Sequence, residues 1–436
     1  MLLVYVPEIT RRISYIYSLV FEDLLGYKLE LTTSLDDYRS CSGPRIACSK
    51  VPIDSGLFLK SDGLLYEKEI HEQHITLSTY EGLPVFFSHN DPDSILPFDL
   101  MSASFYLVTR YEEYFPFEAD RHGRFSSNQS LAYKNGFLQS PLVNLWAAKL
   151  GEKISNAFPL EDPERIQFRF VPTIDIDHAF AYRGRNLLRT AGGYLRSFSG
   201  MDWNEISTRT RVLFRKMEDP FDIYEMISSI HKEAGLSPLF FILFSDRGGG
   251  NDNNVRLSNL NFRDLLLQLD EHENVGLHPS LRSNRRFDLL ESEYRGLSNS
   301  LGRDVTASRQ HFLYLSFPDT YRNLVRLGIT DDYSLSYSEI PGFRASIASP
   351  FLFYDLLRNE PTSLMIHPTT VMDVTLKDQL GLTPETALGL IEKLIHQVKA
   401  VSGEFVSLWH NESLSEWGRW KGWLPVYQEL IKMATV

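Results

Sequence analysis

The rhythm of apolar and polar positions changes near residue 165. Beyond Ile166, short apolar runs alternate with stretches whose apolar residues recur three and four positions apart. The short runs predict strands over 167–174, 238–244, 275–277, 307–310, 330–333, 342–347, 364–366 and 405–408. The periodic stretches predict helices over 221–233, 261–272, 289–301, 319–327 and 384–401. Pro220, Pro318 and Pro384 suit helix starts, where no amide hydrogen is needed, and Gly235, Gly302, Gly328 and Gly403 stand where these helices should stop. Strand and helix in alternation predict a parallel sheet or barrel. Between Asp177 and Pro220 lies a long excursion, expected to be helical and to overhang the barrel top. The earlier part has a different texture: strands over 2–6, 45–47 and 84–87, a helix over 99–114, and separators rich in Ser, Asp, Asn and Pro. Residues 160–164 read as a linker. The expectation is therefore α/β, with a smaller α/β domain over 1–164 and a (β/α) barrel over 165–436.

Length agrees with this division: 436 residues make roughly three average domains, or one barrel of about 250 with a smaller companion. Hydrophobic residues make up 43% and charged residues 23%, which excludes a disordered chain, a collagen and a coiled-coil rod. With 44 basic against 56 acidic residues the formal charge is −12, so the chain as a whole repels phosphate backbones and anionic lipids, and nucleic acid is not an expected partner. Cys41 and Cys48 are spaced as neither a zinc nor a thioredoxin motif. The N-terminal apolar run is short and no basic region precedes it, so it reads as a strand rather than a signal peptide. No stretch approaches the ~18 uncharged apolar residues of a membrane span, and a cytoplasmic location is expected.

In a parallel barrel, reactive groups collect at the C-terminal ends of the strands. This chain places there Asp175, Asp177, His278, Arg309, His311, Asp332, Tyr333, Arg344, His367, Trp409, His410 and Asn411. Asp175 and Asp177 are two apart on a strand and so face the same side. Adjacent carboxylates repel unless a cation or a shared proton intervenes, so one is expected to bind a divalent metal while the other serves as a base. The alternative is that the pair caps loop amides. Each histidine taken singly also fits a buried structural imidazole, and Arg309 and Arg344 fit either ion pairs or substrate contacts. Asp120, Arg121, His122, Gly123 and Arg124 form a polar stretch that fits a solvated connector or a ligand loop. Residues 248–250 are glycines with no Gly-Lys-Ser/Thr after them, which disfavours a phosphate-binding loop.

In the order of these groups, residues 166 to about 411 resemble carbohydrate esterase family 4, the NodB-homology polysaccharide deacetylases. The resemblance implies a distorted (β/α)7 barrel that removes N- or O-acetyl groups from sugars with a divalent metal. Thr173, Asp175 and Asp177 match the first motif, implying Asp175 as base and Asp177 as metal ligand. His278 matches the first histidine of the second motif, but Arg282 stands where the other belongs, so Arg282 is read as a substrate contact and His311 as the substitute ligand. Arg309 matches the arginine that orients the base, with Gln310 in place of the usual proline. Asp332 and Tyr333 resemble the fourth motif, and Met365, Ile366 and His367 the fifth, implying His367 as catalytic acid, Asp332 as its orienter and Tyr333 as a substrate contact. Arg344, Trp409, His410 and Asn411 complete the expected substrate surface. The implied metal is zinc, with cobalt, nickel or manganese as alternatives. The implied partner is a carbohydrate: an acetylated amino sugar, a glycan or a lipid-linked sugar. The first 160 residues look like the N-terminal module of unknown role in some bacterial members. Two competing expectations are a catalytically silent carbohydrate-binding or assembly module, and the same barrel acting on non-sugar amides.

Overall fold

The chain begins with a parallel sheet in the order β2-β1-β3-β4, built from β1 (Leu2–Tyr5), β2 (Leu29–Thr32), β3 (Arg45–Ser49) and β4 (Leu57–Lys60). A strand inside such a sheet is covered on both faces, and all four residues of β1 are accordingly apolar and buried. The structure is a computed structural model and describes residues 1–53, 56–158, 167–185, 187–244, 252, 254–271 and 274–436. Asp99 caps the helix Leu100–Val108 by accepting from the Ser102 amide. The expected helix over 99–114 breaks after that, because Arg110 takes a left-handed conformation (φ 54°) and Tyr111–Tyr114 forms a separate 3-10 turn. A hairpin of β5 (Ser78–Tyr80) and β6 (Leu83–Val85) and the helix Leu142–Ala157 complete this region. Cys41 and Cys48 are both free thiols.

The second region is a nine-stranded sheet. Its strands are β7 (Arg169–Ile176), β8 (Leu239–Phe244), β9 (Val275–Pro279), β10 (Ala307–Ser308), β11 (Asp331–Asp332), β12 (Phe351–Asp355), β13 (Glu360–Ile366), β14 (Thr369–Met372) and β15 (Glu404–His410). Their order is β12-β13-β11-β10-β9-β8-β7-β15-β14, with every pairing parallel except β12 with β13. The sheet curls into a distorted barrel. At its seam, Thr369 of β14 donates from its amide to the Leu335 carbonyl and from its hydroxyl to the Tyr333 carbonyl, just past β11. Helices Tyr224–Glu233, Leu260–Leu269, Phe287–Leu301, Asp319–Leu327 and Pro384–Ala400 lie where the apolar periodicity predicts. Pro384 opens one of them, and Gly302 and Gly328 end two others in left-handed caps. The excursion after Asp177 holds two helices, Leu187–Ser199 and Trp203–Leu213.

The expected strand over 342–347 is absent. Its apolar residues are buried because the segment threads between the two regions. Gly342 donates to the Thr370 carbonyl, Phe343 to the Leu138 carbonyl and Ala348 to Asn144. The expected linker 160–164, the boundary between 164 and 165, and glycines 248–250 lie outside the described residues. One hydrophobic core runs through both regions, from Leu2 and Ile13 to Ile366 and Trp423. No helix among the described residues is long and apolar enough to cross a membrane.

Candidate active site

Alternation along β7 decides which side chains enter the barrel. Ile174 and Ile176 turn outward into the core, while Thr173 and Asp175 turn inward. Asp177 follows directly on the same side. His278 comes from β9 and His311 from the turn after β10. His410 ends β15 and lies opposite Asp175 in register. All are delivered to the C-terminal rim of the parallel strands.

Arg309 is fully buried inside the barrel. Its Nη1 donates to Thr173 Oγ1 at 2.5 Å and to Asp175 Oδ1 at 2.9 Å, its Nε to the Tyr333 carbonyl at 3.0 Å and its Nη2 to Thr369 Oγ1 at 3.1 Å. This spread of bonds leaves the Asp175 carboxylate one orientation, with Oδ2 toward His278 Nε2 at 3.8 Å.

Above it, Asp177 faces three imidazoles. His278 Nε2 lies 3.3 Å from Oδ1, while His311 and His410 Nε2 lie 3.6 and 3.8 Å from Oδ2. In each ring the other nitrogen is taken: His278 Nδ1 donates to the Arg309 carbonyl at 2.5 Å, His311 Nδ1 to Asp252 at 2.9 Å and His410 Nδ1 to Asp373 at 2.9 Å. These bonds fix the tautomers and turn three Nε2 lone pairs toward one carboxylate. Acceptor then faces acceptor unless a proton or a cation lies between. Accordingly Asp177 Oδ1 is buried and accepts no hydrogen bond from the described residues. Against the opposing effect of burial, Asp177 and Asp252 raise His311 to about 9, and Asp373 and then Asp177 raise His410 to about 10. Burial would lift the Asp177 carboxyl, but His311, His278 and His410 hold it well below the usual range. Ligand atoms of Asp177, His278 and His311 all lie within 4.8 Å of one another, a set of one carboxylate and two imidazoles that fits a divalent transition metal.

The cavity over this cluster has a volume of roughly 470 Å³. Leu313, Met372 and Leu408 pack together as its apolar wall, with Val374 against them. Gln310 also lines it, with a buried Nε2 that has no partner among the described residues.

The structure thus gathers Asp175, Asp177, His278, Arg309, His311 and His410, and does not bring the other expected residues to them. His367 lies deeper in the barrel. Its Nδ1 pairs with Glu404 at 2.7 Å and its Nε2 with Asp331 at 3.0 Å, and its ring stacks on Tyr333 at 4.4 Å. Tyr333 and Arg309 stand between it and Asp175. The Asp332 carboxylate serves Ser308 and Ser334 rather than any imidazole. Tyr333 is buried against His367. Arg344 is buried in a pair with Glu113. Trp409 packs in the core on Trp423 and Tyr427. Asn411 is buried and bonds to the His178 carbonyl and Tyr224. Arg282 is exposed and does not line the cavity.

Sequence reasoning missed Asp252 and Asp373, the carboxylates that orient His311 and His410. For His410, read from the sequence only as a substrate contact, a signal existed: like Met365, Ile366 and His367, Leu408, Trp409 and His410 end an apolar strand in a histidine. The stretch left open as connector or ligand loop supplies Arg121, His122 and Arg124, from the first region, to the cavity lining.

Residues 2–159 match the model of a family described as a family of unknown function, DUF7033. No curated protein matches the chain. Among solved structures it is similar to one described as a polysaccharide deacetylase from Mycobacterium smegmatis, with 14% identity and a TM-score of 0.42 over 64% of this chain and 87% of that one. It is also similar to Puue allantoinase, with 11% identity and a TM-score of 0.38 over 62% of this chain and 85% of that one.

Proposed function

We propose that the protein is a metal-dependent hydrolase that removes an acetyl group from an amino sugar or another acylated glycan. The observation that carries this reading is the meeting of Asp177 with the Nε2 atoms of His278 and His311, beside an Asp175 clamped by Arg309. A divalent cation held by Asp177, His278 and His311 would supply Lewis-acid polarisation of the acyl carbonyl and an acidified water. Asp175, fixed by Arg309, takes the proton of the attacking water. His410, held by Asp373 across the cavity, returns a proton to the departing amine or alkoxide. Gln310 Nε2 offers a hydrogen bond to the bound acyl group, and the wall of Leu313, Met372 and Leu408 shields the reacting centre from bulk water.

The test pairs metal analysis of the purified chain with acetate release from N- and O-acetylated sugars. Asp175→Asn should keep stoichiometric metal and lose turnover by two decades or more, about the contribution of a positioned base. Absence of stoichiometric metal in the wild type, or full turnover by Asp175→Asn, would defeat the proposal. Release from small non-sugar amides but no sugar would leave a hydrolase with a different substrate.

A further inference from the structure

The sequence stretch left open as connector or ligand loop is a built wall of the cavity. Ala119 and Phe125 pair across a short hairpin. At its turn, Asp120 accepts from the amides of His122 and Arg124, both at 2.8 Å. Gly123 has φ 87°, and a Cβ there would come within 2.8 Å of Arg285 Nη2, so the turn is pressed against the barrel. Arg124 donates to the Phe312 carbonyl at 2.6 Å, and the His122 ring stacks on Phe312 at 4.9 Å. Phe312 directly follows His311. The hairpin of the first region is therefore seated one residue from the cation cluster of the second.

Among the described residues three arginines line this cavity, and their charges are not equally spent. Arg124 pairs with Asp120 at 2.7 Å, and Arg419 with Asp378 at 2.6 Å and Glu412 at 3.5 Å. Arg121 has no carboxylate within ion-pair distance among the described residues. Its Nε donates to His122 Nε2 at 3.0 Å, which leaves the outer fork of the guanidinium uncommitted. Among the described residues the other lining carboxylates do not reach it: Asp175 is held by Arg309, Glu412 by Arg419, and Asp177 lies among its three imidazoles. A full positive charge is thus left facing a cavity of sugar size, on a fork shaped for two oxygen atoms.

Resting on the deacylase reading above, we infer that Arg121 is a specificity residue and that the natural substrate carries an oxyanion, a phosphate or a carboxylate, on the sugar away from its acyl group. The test uses three N-acetylated sugars matched in their ring: neutral, phosphorylated and carboxylated. The metal-loaded wild type should favour one charged member over the neutral one about tenfold or more in kcat/KM, the size of one charge-assisted hydrogen bond, and Arg121→Gln should bring that ratio below about threefold. The member preferred tells phosphate from carboxylate. Equal rates on all three sugars, or a ratio unchanged in Arg121→Gln, overturn the inference. Calorimetric binding to chelator-treated protein reads the same site without turnover. A charged sugar held about tenfold tighter by the wild type than by Arg121→Gln supports the oxyanion site even if no acetate is ever released, an outcome that sinks the deacylase reading alone. Equal affinities overturn the oxyanion site and leave the deacylase reading standing.

Discussion

Exchanging His410 for glutamine keeps a side chain of similar reach and removes the proton an imidazolium can deliver. The wild-type ring stands with Nε2 3.8 Å from Asp177 Oδ2 and with Nδ1 anchored on Asp373 at 2.9 Å, so it borders the place where a leaving group would sit. A positioned general acid contributes about 10²–10⁴ in rate, or roughly 3–5 kcal/mol of barrier. Acetate release by His410→Gln should therefore fall by two to four decades while metal content holds. His367→Gln is the paired variant. His367 is keyed to Glu404, which opens β15, whereas His410 closes that strand, and at about 3.3 Å per residue their two anchor points are roughly 20 Å apart. A general acid must come within about 3 Å of its target, or one water away. Both nitrogens of His367 are already committed to carboxylates, and Tyr333 covers the ring. Losing two charge-assisted bonds in a buried setting costs about 1.5–3 kcal/mol each at most, so His367→Gln should lower Tm by several degrees and leave the rate of the folded protein close to wild type. Steady-state acetate release and thermal unfolding, measured on both variants, decide the matter. Wild-type turnover by His410→Gln, or a silent His367→Gln with unchanged Tm and metal, would refute the reasoning.

Three further outcomes are expected. Asp252→Asn should weaken metal binding about 10–100-fold by releasing the His311 ring, read by competition with a chelator; unchanged affinity would remove Asp252 from the site. Burial holds His231, bonded to Ile227 and Tyr427, down to about 4. Its contribution to stability is complete above the unfolded value of about 6.5 and is lost as pH falls from there toward 4, by about 1.4 kcal/mol per pH unit and roughly 3 kcal/mol in all; urea melts of His231→Gln should lack that part of the slope. Glu113→Gln leaves the buried Arg344 guanidinium without its counter-charge, beside an Arg110 that keeps only Glu112, which should cost about 3–5 kcal/mol; a loss under about 1 kcal/mol in denaturant titration would show that the trio is not a stabilising joint between the two regions.

The alternation of strands and helices was legible because each helix buries one stripe and each strand is covered on both faces, which leaves two distinct periodicities in the chain. Asp175, Asp177 and His278 were legible for a related reason: each directly follows an apolar residue of its strand, and Arg309 and His311 come within four residues of Ala307. What the chain does not write down is register. Met365, Ile366 and His367 and Leu408, Trp409 and His410 both end an apolar strand in a histidine, and only pairing shows that the first histidine meets the start of β15 and the second meets Asp175. Burial without regular structure misled in the same way at 342–347, whose apolar residues fill a seam between two regions rather than a sheet. The contribution of Arg121, His122 and Arg124 could not be seen because it depends on how one region lies against the other, nearly 200 positions away in sequence.

Phe312 and Leu313 both sit at positive φ, 60° and 53°, immediately after His311. Side chains other than glycine resist that geometry by about 1–2 kcal/mol apiece. The bend is thus costly to hold, and the Arg124 and His122 contacts on Phe312 are the ones from the first region that would act as its catch. Cutting that catch should let the bend relax and swing His311 out of line with Asp177, so that damage in the first third of the chain would be felt as a misplaced imidazole nearly two hundred residues downstream.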